Sequence, residues 1–285
     1  MKNKLFYILL VVVFVAGLSL LLYPTISNAY NSWLQSKAIV EYSQQIDYLA
    51  QETAKVEWEK AQKYNQELSL RVSPFALTDE HKAQYPELLN VTSQGIMAYV
   101  QIPAIDVSLP IAHGTDDETL KDKIGHIEWS SLPVGGENTH CVISGHRGLP
   151  SSELFTNIDH LELGDKFYIH TLGKTLEYQV CNIAVVEPED QSLLQPEQGQ
   201  DLVTLVTCTP YGINSHRLLV RGIRTGADSG GAATQLQIKN EVTQIDVVVL
   251  VAVSLVVVAI AAFVILLLSR KKRGGGQRNE KTDKH

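Results

Sequence analysis

The hydrophobic residues of this 285-residue chain follow three different patterns. Two uninterrupted apolar runs, 5–22 and 247–268, lie near the two ends and contain no charged residue. Both runs are long enough to cross a lipid bilayer as a helix. Residues 30–70 are rich in Ala, Glu, Gln, Lys and Leu and lack Gly and Pro, which predicts one or two helices. From residue 96 onward, short apolar stretches are separated by turn residues, which is typical of strands.

The middle of the chain is predicted to be an all-β barrel or sandwich. Only two short stretches there, 117–123 and 153–159, have a helical pattern, and strands do not alternate with helices as they do in a parallel α/β sheet. The segment 191–201 is predicted to be a loop between two strands. The predicted strands cover residues 97–102, 107–111, 141–144, 166–171, 176–184, 202–206 and 218–223.

Basic residues flank the outer side of each long apolar run. Lys2 and Lys4 precede the first run, and four consecutive basic residues, 270–273, follow the second. By the positive-inside rule both termini are predicted to be cytoplasmic, with the intervening residues outside the cell membrane. The first run could instead belong to a cleaved signal peptide, because small residues occur at 27–29. The apolar run is longer than the hydrophobic region of an ordinary signal peptide, which favours a retained anchor.

Charge is strongly segregated along the chain, whose net charge is −7. Residues 5–269 contain 15 Lys and Arg against 29 Asp and Glu, whereas the tail 270–285 is basic. An acidic exterior does not suit nucleic acid, since phosphates are bound by clustered cations. The basic tail is better explained as a topology signal that contacts the membrane surface. Residues 225–234 are rich in Gly, Ala, Ser and Thr and are predicted to form a flexible tether.

A lone cysteine, Cys208, lies between two predicted strands. It follows the strand 202–206, and the next strand begins just after Arg217. A hairpin of this length would bring Cys208 and Arg217 together. A guanidinium beside a thiol favours the thiolate, which is the nucleophilic form. Taken alone, this stretch is equally compatible with a buried cysteine that only packs in the core.

A second predicted strand, 141–144, delivers His146 into a loop bracketed by glycines. Strand ends and loops are where catalytic side chains are commonly displayed. Cysteine, histidine and arginine together supply a nucleophile, a general acid/base and a charge that stabilises an oxyanion, which are the parts that acyl transfer needs. Other residues of the same types compete with His146 and Arg217 for these roles: His113, His126, His140, His216, Arg147 and Arg221.

The region between the apolar runs contains three cysteines, an odd number that leaves at least one thiol unpaired. Cys141 and Cys181 lie inside apolar strands, where packing is the ordinary role. A disulfide between these two is also compatible with the sequence. The chain has no CxxC motif and no His-rich spacing, so neither a metal site nor a cofactor is predicted.

Several strings in the chain closely resemble the sortases, and specifically the class C type that assembles pili. The resemblance implies an all-β sortase-type barrel with short helices, preceded by N-terminal helices and a lid loop, and here flanked by two transmembrane helices. The strings extend over most of the chain between the apolar runs. They are Thr207-Cys208-Thr209-Pro210-Tyr211, His216-Arg217, Ser144-Gly145-His146-Arg147-Gly148, Leu132-Pro133-Val134-Gly135-Gly136-Glu137-Asn138 and Leu109-Pro110-Ile111.

The resemblance also implies a reaction. Cys208 would attack the carbonyl of the Thr–Gly bond in an LPXTG-like sorting signal and form a thioester that an amine later resolves. His146 would protonate the leaving amine and deprotonate the incoming one, and Arg217 would stabilise the oxyanion. The implied partners are pilins or other surface proteins that bear the sorting signal. The amine acceptor would be a pilin lysine or a cell-wall precursor.

A segment before the first strand resembles the lid of class C sortases. Such lids carry an Asp-Pro-aromatic motif, in which the aromatic ring covers the cysteine and the Asp faces the arginine. Ser73, Pro74 and Phe75 stand at these positions, so the ring is retained and the Asp is replaced. Serine cannot make the charge-assisted contact with Arg217 that a carboxylate makes, so a more loosely held lid is expected. Without the resemblance, 72–77 is better explained as a surface linker whose Phe fills a groove.

Three alternatives remain open. A housekeeping-type sortase would attach surface proteins to the cell wall, a secreted cysteine protease would transfer the acyl group to water, and a non-enzymatic membrane-anchored assembly module would use Cys208 only for packing. The lid segment and the second apolar run favour pilus assembly.

The predicted organisation is a cytoplasmic N-terminus with a membrane segment (1–29), N-terminal helices (30–70), a lid segment (71–90), the catalytic barrel (91–224), a tether (225–245), a second membrane helix (246–269) and a basic cytoplasmic tail (270–285).

Overall fold

The computed structural model describes residues 2–71, 73–92, 94–226, 229–230, 256 and 260. Within these residues, helices come first and strands follow, as the sequence pattern predicts. The helices are α1 (Lys2–Tyr48), α2 (Gln51–Ser69) and α3 (Asp79–Gln84). The strands are β1 (Ile96–Ile102), β2 (Val107–His113), β3 (Ile124–His126), β4 (Thr139–Ser144), β5 (Lys166–Thr171), β6 (Lys174–Val186), β7 (Asp201–Thr209), β8 (His216–Arg224) and β9 (Ser229–Gly230).

The first eight strands form a closed barrel, which confirms the predicted all-β fold. They pair in the order β5-β1-β2-β3-β4-β7-β8-β6, and β5 pairs with β6 to close the sheet. Each of the seven predicted strands is present and extends at most three residues further at either end. The sequence pattern missed β3, which is only three residues long and therefore too short to show a period.

Two strands that are far apart in the chain pair in parallel, which the sequence pattern did not indicate. β4 and β7 run side by side from Thr139, opposite Asp201, to Ser144, opposite Val206. The connection between them contains β5 and β6, so it provides the long crossover that parallel pairing requires. As a result, the carboxyl ends of β4 and β7 lie next to each other at one end of the barrel.

Helix α1 is continuous across residues 29 and 30, where the sequence analysis divides the membrane segment from the N-terminal helices. Its first part carries exposed apolar side chains, and its second part packs on the barrel. Ile39, Tyr42 and Ile46 recur on one helical face and are all buried. The Tyr42 hydroxyl donates to the carbonyl of Met97 at 3.1 Å and accepts from the backbone N–H of Leu172 at 3.0 Å. The helix therefore joins a candidate membrane segment directly to the barrel.

One helix among the described residues is long and apolar enough to cross a membrane, namely the portion Val12–Tyr48 of α1. The second predicted span, 246–269, lies outside the described residues except for Val256 and Ile260, and the basic tail 270–285 lies wholly outside them. The described residues of the predicted tether 225–245 contact β6 of the barrel. β9 pairs with the start of β6, and the backbone N–H of Thr225 donates to the Glu177 carbonyl at 3.1 Å.

All three cysteines are free thiols. Cys141 is buried in β4, where burial raises its pKa well above the usual value. Cys181 is exposed at a β-bulge of β6, between Val180 and Asn182, so its predicted packing role is wrong. Cys141 and Cys181 form no disulfide.

Candidate active site

Cys208 and Arg217 lie directly opposite each other in the antiparallel β7–β8 hairpin. The next pair toward the turn is Thr209 with His216. Residues in such a pair have Cα atoms about 4.5–5.5 Å apart, so the hairpin places the thiol-bearing and guanidinium-bearing residues side by side. Both residues are half-buried at the barrel end. The predicted juxtaposition of Cys208 and Arg217 is therefore confirmed.

His146 lies in step with Cys208 on the neighbouring strand end. Ser144 pairs with Val206, and the backbone N–H of Gly145 donates to the Val206 carbonyl at 3.0 Å, so the parallel alignment continues past the end of β4. His146 comes two residues after Ser144, and Cys208 comes two residues after Val206. The loop that begins at the end of β4 therefore starts beside the end of β7 that carries Cys208. The structure therefore places the backbones of the three residues that the sequence analysis singled out at the same end of the barrel.

A buried hydroxyl fixes the backbone between these residues. Thr207, immediately before Cys208, donates its hydroxyl to the Gly145 carbonyl at 2.7 Å, and Gly145 immediately precedes His146. Gly145 is close-packed, since a Cβ there would come within 2.8 Å of the side chains of Ile124 and Phe155. These contacts leave little freedom in the distance between the histidine and cysteine backbones.

The guanidinium of Arg217 is held by its own hairpin. Its Nη1 donates to the carbonyl of His216 at 3.0 Å and to that of Asn214 at 3.3 Å. Among the described residues, no carboxylate forms an ion pair with Arg217. Its positive charge is therefore not neutralised by a neighbouring acid at the end of β8.

The competing histidines are engaged elsewhere. Burial lowers the pKa of His126 and of His140 to about 4, and both rings are hydrogen-bonded inside the barrel. Burial also lowers the pKa of His113, whose Nε2 bonds the Leu88 carbonyl at 2.7 Å. His216 is closer to the site, but its Nε2 lies 3.3 Å from the Glu187 carboxylate.

The competing arginines pair with acids. Arg147 forms an ion pair with Asp159 and donates to the Thr209 hydroxyl at 3.2 Å. Arg221 lies four residues further along β8 than Arg217, and its Nη1 is 2.6 Å from the Glu197 carboxylate. Both guanidinium groups therefore have a carboxylate partner, which Arg217 does not have among the described residues.

A small apolar cluster lies on the same face of the sheet as Cys208 and Arg217. Val206 pairs with Leu219, and these residues are two positions from Cys208 and Arg217 respectively, so all four side chains share a face. Five further side chains pack against this cluster, and one of them belongs to the predicted lid. The buried members are Val142, Leu194, Val206 and Leu219, and the packed members are Phe75, Ile127, Trp129, Val186 and Leu193.

The lid segment lies on this cluster. The Phe75 ring meets the Trp129 ring edge to face, with 5.0 Å between centroids. Pro74 is half-buried, whereas Ser73 is exposed. The predicted placement of the aromatic ring in a groove is thus observed, and the groove is the one that adjoins Cys208. The loop 191–201 contributes Leu193 and Leu194 to the same cluster.

Arg71 holds the lid segment, and the sequence analysis missed it. Its guanidinium donates to the carbonyls of Trp129 at 2.8 Å, Ala76 at 2.9 Å and Leu68 at 3.0 Å. The only sequence signal was an arginine just after the end of α2, where a cation can bond the last helical carbonyls. The carbonyls of Trp129 and Ala76 become partners only once the chain has folded.

A family match and several solved structures all relate this chain to the sortases. The sortase domain family matches residues 100–225. The crystal structure of sortase C1 from Streptococcus agalactiae is 42% identical, with a TM-score of 0.65 over 67% of this chain and 100% of the other. Sortase C of Streptococcus pneumoniae is 41% identical, with a TM-score of 0.62 over 68% and 98%. A lid mutant of sortase A from Corynebacterium diphtheriae is 42% identical, with a TM-score of 0.58 over 63% and 97%.

Each of these three structures covers more of this chain than the family match to residues 100–225 does. The chain therefore belongs to the sortase family of cysteine transpeptidases, in its class C group.

Proposed function

We propose that this sortase is a membrane-anchored enzyme that cleaves an LPXTG-like sorting signal of a pilin and joins the acyl group to a lysine amine of the next pilin. The observation that carries the proposal is the common register of three strand ends. Cys208 faces Arg217 across β7–β8, and His146 follows directly on the end of β4, where Ser144 pairs with Val206, two residues before Cys208. A related enzyme, sortase C of Streptococcus pneumoniae, has pilin substrates.

In the first half of the reaction, the Cys208 thiolate attacks the carbonyl carbon of the Thr–Gly bond. The carbonyl oxygen becomes an oxyanion, and Arg217 stabilises it because no carboxylate of the described residues competes for the guanidinium. His146, in its protonated form, gives its proton to the glycine nitrogen as the C–N bond breaks. A thioester on Cys208 and a free amine product result.

In the second half, an amine attacks the thioester carbonyl. His146 removes the proton from the incoming nitrogen, and a new amide bond forms as the carbon–sulfur bond breaks. Cys208 leaves as the thiolate, so the enzyme returns to its starting state. With a lysine side chain as the amine, the product is an isopeptide bond between two subunits.

Ser73, Pro74 and Phe75 act in this proposal as a lid over the apolar cluster beside Cys208. Phe75 supports the assignment because it packs on the same face as Val206 and Leu219, two residues from the cysteine and arginine. A substrate peptide needs this surface, so the ring has to leave before an apolar residue of the sorting signal can bind.

Membrane anchoring is supported by the way α1 runs along the barrel. Asn31 bonds to Ser151 in the loop that follows His146, whereas Tyr42 bonds to Leu172 in the β5–β6 turn. Strand β6 leads from that turn to Val186, which pairs with Arg217 at the opposite end. The apolar first half of α1 therefore projects beyond the active-site end. In this proposal the active-site end of the barrel is the end nearer the bilayer.

A second anchor near the C-terminus is part of the proposal. Val256 and Ile260 are helical and line the same apolar groove as Val15, Leu22 and Ile26 of α1. With both spans in the membrane, the basic residues at the chain ends place both termini in the cytoplasm and the barrel outside.

The test is to follow the protein's mass during incubation with a peptide that carries an LPXTG-like motif. We expect wild-type protein to gain the mass of the acyl fragment, and Cys208→Ala to gain none. Cys181→Ala is the matched control, because it removes an exposed thiol outside the site and should leave the adduct unchanged. An adduct that persists in Cys208→Ala would contradict the proposal.

The acceptor is tested in the same assay by adding amines. A lysine-containing pilin peptide should convert the adduct into a branched product faster than water converts it into the free acid. Faster transfer to a cell-wall peptide with a terminal amine would instead indicate housekeeping anchoring. Hydrolysis as the main outcome with every amine would indicate a protease.

A further inference from the structure

The juxtamembrane part of α1 binds the loop that follows His146. We call residues 147–154 the histidine loop. The Asn31 side-chain amide donates to the Ser151 carbonyl at 2.7 Å, and the backbone N–H of Glu153 donates to the Asn28 side-chain oxygen at 2.9 Å. The amide orientations follow from these partners, since a carbonyl requires a donor and an N–H requires an acceptor. α1 thus supplies both hydrogen-bond partners for one short stretch of loop backbone.

A third amide of the same helical face adds two contacts. Gln35 is buried, and its Nε2 donates to the Asp122 carbonyl at 2.7 Å and to the Ser152 hydroxyl at 3.1 Å. Asn28, Asn31 and Gln35 are spaced three and four residues apart, so they lie on one face of the helix. These three amides form a polar contact with the histidine loop, which we call the amide clasp.

The histidine loop is tightly folded between the clasp and His146. The backbone N–H of Phe155 donates to the His146 carbonyl at 3.1 Å, and the N–H of Gly148 donates to the Thr156 hydroxyl at 3.2 Å. Phe155 is fully buried, so the C-terminal end of the loop cannot move independently of the core. A displacement of the loop backbone at Ser151 is therefore transmitted to the histidine rather than absorbed along the loop.

We propose that Asn28, Asn31 and Gln35 are positioning residues that hold His146 in place through the histidine loop, so that the membrane-anchor helix is part of the active-site scaffold. The proposal rests on the proposed function, because it takes His146 as the general acid/base. The clasp residues touch neither Cys208 nor Arg217. Their effect is confined to the geometry of proton transfer.

The chemistry of the clasp supplies an internal control. Asn31→Asp replaces the donor that faces the Ser151 carbonyl with an oxygen, so that two acceptors face each other. Asn28→Asp keeps the acceptor that the Glu153 N–H needs. The two substitutions introduce the same charge three residues apart on the same helix face, yet only the first breaks a hydrogen bond. Gln44→Glu adds the same charge at an exposed position of α1 outside the clasp.

The experiment uses full-length protein in lipid nanodiscs and measures acylation and transfer kinetics against pH with an LPXTG-like peptide and an amine. We expect Asn31→Asp to lower kcat about tenfold with little change in KM, since small misplacements of a catalytic group have effects of this size or larger. Asn28→Asp, as the conservative variant, should retain most of the activity, and Gln44→Glu should match wild type. Asn31→Ala adds no charge and should also lower kcat. It takes the place of Asn31→Asp in the experiment if Asn31→Asp does not fold.

A double-mutant cycle with His146→Gln separates positioning from general destabilisation. If the clasp acts through the histidine, Asn31→Asp should not reduce the residual activity of His146→Gln any further. An equal loss in both backgrounds, or wild-type kinetics for both Asn31→Asp and Asn31→Ala, would overturn the clasp proposal. If His146→Gln itself has wild-type kinetics, the assignment of the acid/base fails instead, so the two failures are distinguishable.

Discussion

At the scale of single residues, Arg217 and Arg221 offer a direct comparison. Both lie on the same face of β8, but only Arg221 has a carboxylate partner, Glu197. Arg217→Lys should lower kcat/KM about a hundredfold, because an ammonium cannot reproduce the planar fork of donors near an oxyanion. Arg221→Lys should change kcat/KM by less than about threefold, since Arg221 is opposite Thr204, four residues from Cys208, and lysine keeps the positive charge that pairs with Glu197. Steady-state kinetics of the two variants check this, and equal losses would contradict the role of Arg217.

Buried histidines make stability depend on pH. Burial lowers the pKa of His126, His140 and His170 to about 4, whereas an unfolded histidine titrates near 6.5. Below pH 6.5 the unfolded chain therefore binds protons that the folded barrel does not. Stability should be complete above about pH 7 and should fall as the pH drops from about 6.5 to 4, by up to about 1.4 kcal/mol per pH unit for each histidine.

Thermal unfolding between pH 4 and 8 measures this loss, and His170→Phe tests its origin. The His170 ring stacks on Tyr99 with 4.3 Å between centroids, and its Nε2 has no hydrogen-bond partner in the described structure. Phenylalanine keeps the stacking and does not titrate. The variant's unfolding temperature should fall less steeply with acid than that of wild type. An unchanged slope would show that the loss arises elsewhere.

The residues of the site differ in how readily they can be predicted from the sequence. Cys208, His146 and Arg217 are recognisable because their chemistry is rare and they stand beside strand patterns. Arg71 and Asn31 are not, because they act by bonding backbone carbonyls, and every residue has a carbonyl. A role of this kind appears only when the partner segment is in place.

At the scale of elements, the lid segment depends on Arg71 rather than on Ser73. The Ser73 side chain is exposed, whereas Arg71 donates to three carbonyls on α2, the lid segment and the barrel. Arg71→Met should release the segment and accelerate acylation of Cys208 several-fold, since hydrogen bonds to a charged group contribute about 1.5–3 kcal/mol each.

The rate of adduct formation, followed by mass, checks the role of Arg71. Phe75→Ala should accelerate acylation as well, because it removes the ring from the apolar cluster. Lys63→Met is the control, since it removes an exposed cation of α2 that does not contact the lid. If Arg71→Met and Phe75→Ala both acylate at the wild-type rate, the segment does not restrict access to the site.

Strands were easier to predict than their pairing. Apolar alternation and turn residues located seven strands to within three residues, because these signals are local. The parallel contact of β4 with β7 joins residues about sixty positions apart and leaves no local pattern. That contact brings His146 to Cys208, so the most important distance in the site was the least predictable from spacing alone.

At the scale of the whole molecule, the barrel depends on the second half of α1. Ile39, Tyr42 and Ile46 are buried against it, and each such side chain contributes about 1.5–3 kcal/mol when fully buried. A soluble fragment of residues 27–230 should unfold cooperatively. A fragment of residues 50–230 should unfold at least about 10 °C lower, because about 4 kcal/mol or more is lost. Calorimetry of the two fragments checks this, and equal unfolding temperatures would contradict it.

The unbroken α1 helix also determines how far the histidine loop lies from the membrane in the proposed arrangement. In the membrane-anchored arrangement proposed above, the apolar run ends at Leu22 and Asn31 bonds the histidine loop, so nine residues of helix would hold that loop about 13 Å above the hydrocarbon boundary. A substrate with its own membrane segment has to cover the same height, which takes about four extended residues between the cleaved bond and that segment. In that arrangement the length of α1 between the membrane and the histidine loop determines which substrates reach the site. We therefore expect substrates to be selected by the length of their spacer as well as by their motif.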